Sequence, residues 1–251
     1  VPQYGFFVDQ SRCIGCNGCV ISCKQWHDLQ PGSVKWMRVY QWETGFFPDI
    51  RLHILPIMCF HCEKPVCVKA CPHKAIYKEE KFGAVLLDAN KCKGTRRCWQ
   101  ACPYGAPQYE EEGVGKKMSK CNMCIDRLNQ GLTPICVMSC SMRALEFGVL
   151  DELIRKYGDL RRLVEMPKES ITEPAVVFKA SSAKRSVVSW NPKKTLELWQ
   201  KRQPHLSEAL PDVFEKISDV REPHRDIVGR NRLVLKAKDS EEFMYYTTDN
   251  E

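Results

Sequence analysis

The chain has 251 residues, 43% of them hydrophobic and 15 of them cysteine, with 38 lysines and arginines against 31 acidic residues for a net charge of +7. That length suits one large domain or two small ones with an ordinary core. The mildly basic, mixed-sign surface argues against a nucleic-acid binder, and no apolar run approaches the roughly 18 residues that a membrane span needs.

The cysteines decide the class. All fifteen lie between Cys13 and Cys140, in four groups, and none follows. Disulfide scaffolds are mostly short secreted chains with irregular spacing, so metal is the better reading of this pattern. The opening V-P-Q-Y-G-F-F runs almost directly into the first group and does not read as a secretory signal. Arg96–Arg97 and Lys116–Lys117 are short basic pairs of a kind common on solvated surfaces.

Tyr4–Asp9, Y-G-F-F-V-D, is β-branched and aromatic and predicts a strand. The first group follows as Cys13, Cys16, Cys19 and Cys23, spaced C-x2-C-x2-C-x3-C, with Gly15 and Gly18 between them. This is the spacing of bacterial ferredoxins, in which the fourth cysteine serves the second cluster of a pair. Glycine lets the backbone wrap closely round such a cluster with its N–H groups turned inward. Zinc would want four ligands in two spaced pairs.

Residues 24–58 read as an aromatic insert containing Trp26, Trp36, Tyr40, Trp42, Phe46 and Phe47. V-K-W-M-R-V-Y-Q-W predicts a strand, and a hairpin packed on the cluster core is favoured over a ligand site. The second group is Cys59, Cys62, Cys67 and Cys71 with Pro72 behind it, and His61 lies between two of its cysteines. A Rieske site would need two histidines in place of cysteines; His61 is therefore read as a neighbour of the ligands or a surface residue. Residues 75–88 predict two short strands round Phe82–Gly83.

The third group departs from the pattern. In K-C-K-G-T-R-R-C-W-Q-A-C-P, Cys92, Cys98 and Cys102 stand where ferredoxin spacing wants them, but the second ligand position holds Thr95. A thiolate forms readily near neutral pH; an alcohol oxygen is far less acidic. The expectation is a cluster lacking the iron at that corner, 3Fe–4S in place of 4Fe–4S. Residues 106–120 repeat the hairpin idea. The fourth group is Cys121, Cys124, Cys136 and Cys140, whose long middle gap can hold a helical turn ending near Gly131. C-P-H-K-A-I, C-P-Y-G-A-P and C-S-M-R-A-L after the second, third and fourth groups form an internal repeat.

From Leu150 the spacing of Leu153, Ile154, Tyr157, Leu160, Leu163 and Val164 predicts a helix. P-A-V-V-F at 174–178 predicts a strand, and Asn191–Pro192 a helix start. The remainder to Glu251 is charged and sparsely apolar, and no chemistry is readable in it.

Q-Y-G-F-F-V-D-Q-S-R-C-I-G-C, A-C-P-Y-G-A-P-Q-Y, P-I-C-V-M-S-C-S-M-R-A-L-E-F-G and D-E-L-I-R-K-Y-G-D-L resemble the iron–sulfur electron-transfer (beta) subunit of the dimethyl sulfoxide reductase family of molybdopterin oxidoreductases. The likeness covers residues 3 to 195 or so. It implies an α+β fold of tandem bacterial-ferredoxin-like modules, four-cluster and pseudo-duplicated, with the β-hairpin insert. The expected domains are 1–150, holding the clusters, and 151–251, a C-terminal extension packing on them and on a partner subunit.

The resemblance also implies how the ligands are shared. One 4Fe–4S cluster takes Cys13, Cys16, Cys19 and Cys140, and the next takes Cys23, Cys121, Cys124 and Cys136. A third 4Fe–4S cluster takes Cys59, Cys62, Cys67 and Cys102. The 3Fe–4S cluster takes Cys71, Cys92 and Cys98, with Thr95 at the vacant position. The assignment uses every cysteine.

By the same likeness the chain has no catalytic residues of its own. It carries electrons between a molybdenum or tungsten bis-pterin catalytic subunit, beside the Cys13 cluster, and a membrane-anchor quinone-reactive or haem subunit, beside the Thr95 cluster. The implied place is peripheral to the cytoplasmic membrane on its extracytoplasmic face, reached by co-export with a twin-arginine-bearing partner; a cytoplasmic place is the alternative. Two other readings stand beside this one: the iron–sulfur subunit of a formate dehydrogenase or hydrogenase, and a zinc-dependent structural module.

Overall fold

The apolar run near the N-terminus forms β1 (Tyr4–Asp9) in the computed structural model, which describes residues 2–45, 51–110, 115–181, 197 and 233–237. β1 is the middle strand of a three-stranded sheet. β6 (Leu145–Val149) pairs with it antiparallel, Phe6 opposite Phe147, and β7 (Val176–Lys179) pairs with it parallel, Phe7 opposite Val177. Side chains alternate across a strand, so an unbroken apolar run suits a strand covered on both faces. Phe6 and Val8 enter the main core, whereas Phe7 turns the other way with Ala175 and Val177. That second face is covered by α6 (Leu150–Tyr157), whose Tyr157 stacks on Phe7 with ring centroids 3.6 Å apart.

α6 is shorter than its hydrophobic spacing suggests. It stops at Gly158, φ +89°, and the chain then runs beside β7, where Phe178 N–H donates to Leu160 O. Leu160, Leu163 and Val164 therefore lie outside the helix, and Val164 is 96% exposed. A positive-φ glycine, a conformation other residues rarely adopt, outranks apolar spacing that happens to continue past it.

The insert forms an antiparallel hairpin of β2 (Arg38–Thr44) and β3 (Arg51–Ile57). Its strand begins at Arg38, later than the apolar pattern from Val34 implies. Val39, Tyr40, Trp42, Leu55 and Ile57 join the main core; Phe46 and Phe47 lie outside the described residues. Between the second and third groups, β4 (Ile76–Lys78) and β5 (Val85–Leu87) pair around the Phe82–Gly83 turn. The hairpin expected in 106–120 is reduced, among its described residues, to one bridge between Gln108 and Ser119. The helix start expected at Asn191–Pro192 lies outside the described residues, as does the tail from 200 apart from 233–237. No helix among the described residues is long and apolar enough to cross a membrane.

The remaining helices are short: α1 (Gly18–Trp26), α2 (Val66–Ala70), α3 (Arg97–Ala101), α4 (Ile125–Leu128) and α5 (Ile135–Met138). α4 is the helical turn inside the long gap of the fourth group, closed by Gly131 N–H to Leu128 O.

Asp9 ties the sheet to the first cysteine loop. Its carboxylate, 3% exposed, accepts from Ser11 N–H at 3.0 Å and from Lys179 Nζ of β7 at 3.0 Å. Burial by itself raises its pKa, but the Ser11 and Lys179 hydrogen bonds and the Lys179 charge more than offset this and hold it below the usual carboxylate range. A depressed folded value means that the contribution to stability is complete above the unfolded value of about 3.9 and is lost as pH falls through the lower folded value. Asp9→Ala should therefore cost about 1.5–3 kcal/mol, the worth of hydrogen bonds to a charged group. The cost, read from anaerobic denaturant midpoints, should be the same at pH 7 and at pH 5.

Candidate iron–sulfur centres

Each cysteine group ends in C-x3-C, and each of these is one turn of helix. Cys19 and Cys23 lie on α1; Cys67 lies on α2 with Cys71 at its C-terminal cap; Cys98 lies on α3 with Cys102 at its cap; Cys136 lies on α5 just before Cys140. Four residues of helix advance about 6 Å and return to nearly the same face. α1 packs on α5, and α2 on α3. Each helix pair thus presents two levels of sulfur.

The loops ahead of these helices share one backbone step. The residue two after the first cysteine is left-handed in all four groups: Gly15 (φ +71°), His61 (+45°), Gly94 (+64°) and Met123 (+61°). Such turns direct successive N–H groups to one side, towards an anion. Thr95 is the structural counterpart of Cys16. Each follows a left-handed glycine, and each precedes a left-handed residue, Asn17 (+56°) or Arg96 (+57°). Gly94 is also crowded: a Cβ there would stand within 2.6 Å of Gly115 C and Lys116 N.

The repeat noted after three of the groups has a physical basis in the same backbone. Three residues beyond Cys71, Cys102 and Cys140 the chain turns left-handed, at Lys74, Gly105 and Arg143. The next residue is a buried alanine whose N–H points back to the sulfur. Ala75 N lies 3.3 Å from Cys71 Sγ and Ala144 N lies 3.2 Å from Cys140 Sγ; Ala106 N–H donates likewise to Cys102.

These loops and helices gather the cysteines into sets. Cys13, Cys16, Cys19 and Cys140 line one hollow, roofed by Val39 and Pro56 of the insert. Cys59, Cys62, Cys67 and Cys102 line a second, with Lys120 and Thr172. Cys71, Cys92 and Cys98 line a third, with Thr95 beside them. Cys23, Cys121, Cys124 and Cys136 form a fourth neighbourhood in which each thiol but Cys124 feels the charge of others in the set. All fifteen cysteines are free of disulfide bonds.

Burial dominates the thiol chemistry. It pushes Cys19, Cys23 and Cys62 up to about 12, assisted by neighbouring sulfurs: Cys13, Cys140 and Cys16 for Cys19, Cys124 for Cys23, and Cys59 for Cys62. Cys121 and Cys136 are raised for the same two reasons. Thiolates crowded like this need a cationic core between them. Among the described residues no group of three or more His, Cys, Asp or Glu side chains converges tightly enough for a single metal ion. Soft sulfur donors spread around a hollow, with amides turned inward, fit iron–sulfur clusters and not zinc.

Several residues around the sulfurs carry no mark in the sequence. His27 Nε2 lies 3.3 Å from Cys124 Sγ, and burial depresses the imidazole, which favours the neutral ring. Tyr109 OH lies 3.3 Å from Cys98 Sγ, with the Arg96 guanidinium 4.5 Å from the centre of its ring. Thr172 reaches the Cys59 hollow from the segment after α6 and hydrogen-bonds both Tyr104 OH, at 3.0 Å, and Cys62. His61 is not a surface residue. It is wholly buried and accepts a 2.9 Å hydrogen bond at Nδ1 from Val85 N–H, because its left-handed turn folds the side chain against β5.

Two family profiles described as 4Fe–4S dicluster domains match residues 50–150 and 12–76. A component of the anaerobic dimethyl sulfoxide reductase of Escherichia coli K12 is 44% identical over 191 residues, covering 73% of this chain and 91% of the relative. The component of the same name from Haemophilus influenzae is 38% identical over 194 residues, 74% of this chain and 93% of that one. This protein belongs to the iron–sulfur subunits of the dimethyl sulfoxide reductase family. The likeness extends to a subunit of the sulfite dehydrogenase of Allochromatium vinosum, 36% identical over 168 residues, 59% of this chain and 69% of that one. As a member of this family the subunit is an iron–sulfur electron-transfer protein built on ferredoxin-like 4Fe–4S dicluster folds.

The Gly94 turn provides a direct check. Gly94→Ala puts a Cβ into the Gly115–Lys116 backbone on a left-handed residue. Iron content should fall by one cluster's share, about three or four atoms per polypeptide, with other centres still visible by electron paramagnetic resonance (EPR).

Proposed function

We propose that this subunit is a four-station conductor holding three 4Fe–4S clusters and one 3Fe–4S cluster. Cys13, Cys16, Cys19 and Cys140 hold the first, Cys23, Cys121, Cys124 and Cys136 the second, and Cys59, Cys62, Cys67 and Cys102 the third. Cys71, Cys92 and Cys98 hold the three-iron cluster. The observation that carries this reading is the hollow in which those last three cysteines meet Thr95 at the position that Cys16 has in the first loop. The matching C-x3-C turns and alanine amides support a pseudo-duplicated pair of ferredoxin-like modules within residues 1–150. Residues 151–251 are the extension that covers them and meets a partner.

When bound, such clusters supply one-electron storage at potentials tuned by charge, hydrogen bonding and exposure. The chain's own residues place the thiolates, aim amides at them and exclude water. Ala75, Ala106 and Ala144 each give an N–H to a ligand sulfur, and the insert closes over the first hollow. These residues need not bind a substrate. The reductase and dehydrogenase names of the relatives support a catalytic partner, which we take to be a molybdopterin subunit docked beside Cys13. A membrane-anchor quinone-reactive or haem subunit would meet the Thr95 end. We infer that the assembly works on the extracytoplasmic face of the cytoplasmic membrane, exported already folded with a twin-arginine-bearing partner.

Anaerobic preparations should contain about 15 iron atoms per polypeptide, from three four-iron clusters and one three-iron cluster, and should bleach with dithionite. Fewer than about 12 would overturn the reading. Thr95→Cys should add about one iron atom, abolish the EPR signal of the oxidised three-iron centre and lower that station's potential.

A further inference from the structure

Within each half of the molecule, neighbouring sets are joined by a helical turn. α1 gives Cys19 to one set and Cys23 to the next; α2 does the same with Cys67 and Cys71. No such turn joins the set holding Cys121 to the set holding Cys59. At that joint stands Lys120, a side chain the electron-transfer reading leaves unused.

Lys120 is 4% exposed. Its ammonium group donates to Val85 O and, at 2.8 Å, to Cys121 O, and it lies 4.0 Å from Cys59 Sγ. It lines the Cys59 hollow itself. Its three donors thus meet two neutral carbonyls and one ligand sulfur. Of these, only the sulfur belongs to an anionic group. Burying a cation is costly unless an anion compensates it, and here the compensating charge is that of the thiolate set.

We propose that Lys120 is a positioning residue that fixes a positive charge at the junction of the two halves and raises the reduction potential of the Cys59 centre. This rests on the ligand assignment proposed above. With clusters bound, the step it would act on is the transfer of one electron between the Cys121 and Cys59 centres, one oxidised as the other is reduced with no bond formed or broken. An electron at the Cys59 centre would add negative charge beside the ammonium, so the reduced form would be favoured. The carbonyls of Val85 and Cys121 hold the ammonium in place, so the effect needs no rearrangement.

The test is an EPR-monitored redox titration of the intact complex carrying Lys120→Met or Lys120→Arg, with iron counted in each. With iron complete, Lys120→Met should shift one 4Fe–4S centre towards its oxidised form by at least tenfold at fixed potential, about 59 mV for one electron. Lys120→Arg should stay within threefold of wild type. The moving transition should be missing in a Cys62→Ser background, which marks it as the Cys59 centre. A fully loaded Lys120→Met with all its centres within threefold of wild type overturns the proposal, as does an equal shift of every centre. Should Lys120→Met lose iron, Lys120→Gln takes its place, and iron loss from both neutral variants overturns tuning in favour of a purely structural role. Failure of the ligand assignment would appear separately, as iron missing from the wild type.

Discussion

The rest of the structure depends on one constraint: sulfur donors must stand close together in a poorly hydrated interior. Burial and mutual repulsion both raise the thiol pKa values there. Without a cation beside them, Cys19, Cys121 and Cys136 would stay protonated. A multinuclear cationic core lets several thiolates share one hollow, and the backbone is built to complement such an anionic whole. Left-handed residues at 15, 61, 94 and 123 turn amides inward ahead of the helices. Left-handed residues at 74, 105 and 143 do the same behind three of them, and the alanine that follows each brings its N–H to a sulfur. Under the proposed assignment metal binding and folding would be coupled, because the same residues would complete both.

C-x3-C is the smallest device that builds a row of centres from such hollows. One helical turn puts two sulfurs on one face about 6 Å apart along the axis. Under the proposed assignment the two belong to different clusters. The spacing between stations is then a property of the covalent helix, and it does not vary with side-chain packing. Under that assignment the two paired uses of the turn, α1 with α5 and α2 with α3, would give each half its pair of stations.

Much of this was legible from local pattern. The cysteine groups, the bounds of β1, the hairpin round Phe82–Gly83 and the helix start at Leu150 follow from spacing and turn chemistry over a few residues. The partition of cysteines among sets was not legible in that way; it came from resemblance, because it joins residues up to 127 positions apart (Cys13 and Cys140). The parallel pairing of β7 with β1 is long-range too. Lys120, Thr172, His27 and Tyr109 escape local pattern for the same reason, although Lys120 directly precedes Cys121. The C-x3-A repeat was visible, but its meaning was not, since it lies in an amide hydrogen bond that a side-chain pattern does not report. α6 was overrun at its end because apolar residues kept a helical spacing beyond Gly158.

The parts that supply no sulfur hold the two halves together. Arg38 of the insert is almost wholly buried and donates to Tyr104 O at 2.9 Å and to Gly105 O at 2.8 Å, just beyond Cys102. Its neighbour Tyr40 donates through its hydroxyl to Leu235 O, so the described piece of the tail lies over the same point. The segment after α6 binds the second group from the other side. Glu63 N–H donates to Glu173 O, Lys64 N–H to Thr172 O, and Ala175 N–H to Phe60 O. A helix turn sets spacing within a half; between halves these non-covalent clamps act together with the Lys120 hydrogen bonds to Val85 O and Cys121 O. Buried charge suits that task, since a guanidinium that leaves its carbonyls without reaching water loses its hydrogen bonds with nothing in exchange. Under the proposed assignment the insert and the described segments of the extension, which look dispensable beside fifteen cysteines, bear on the one step in the row that the cysteine spacing leaves open.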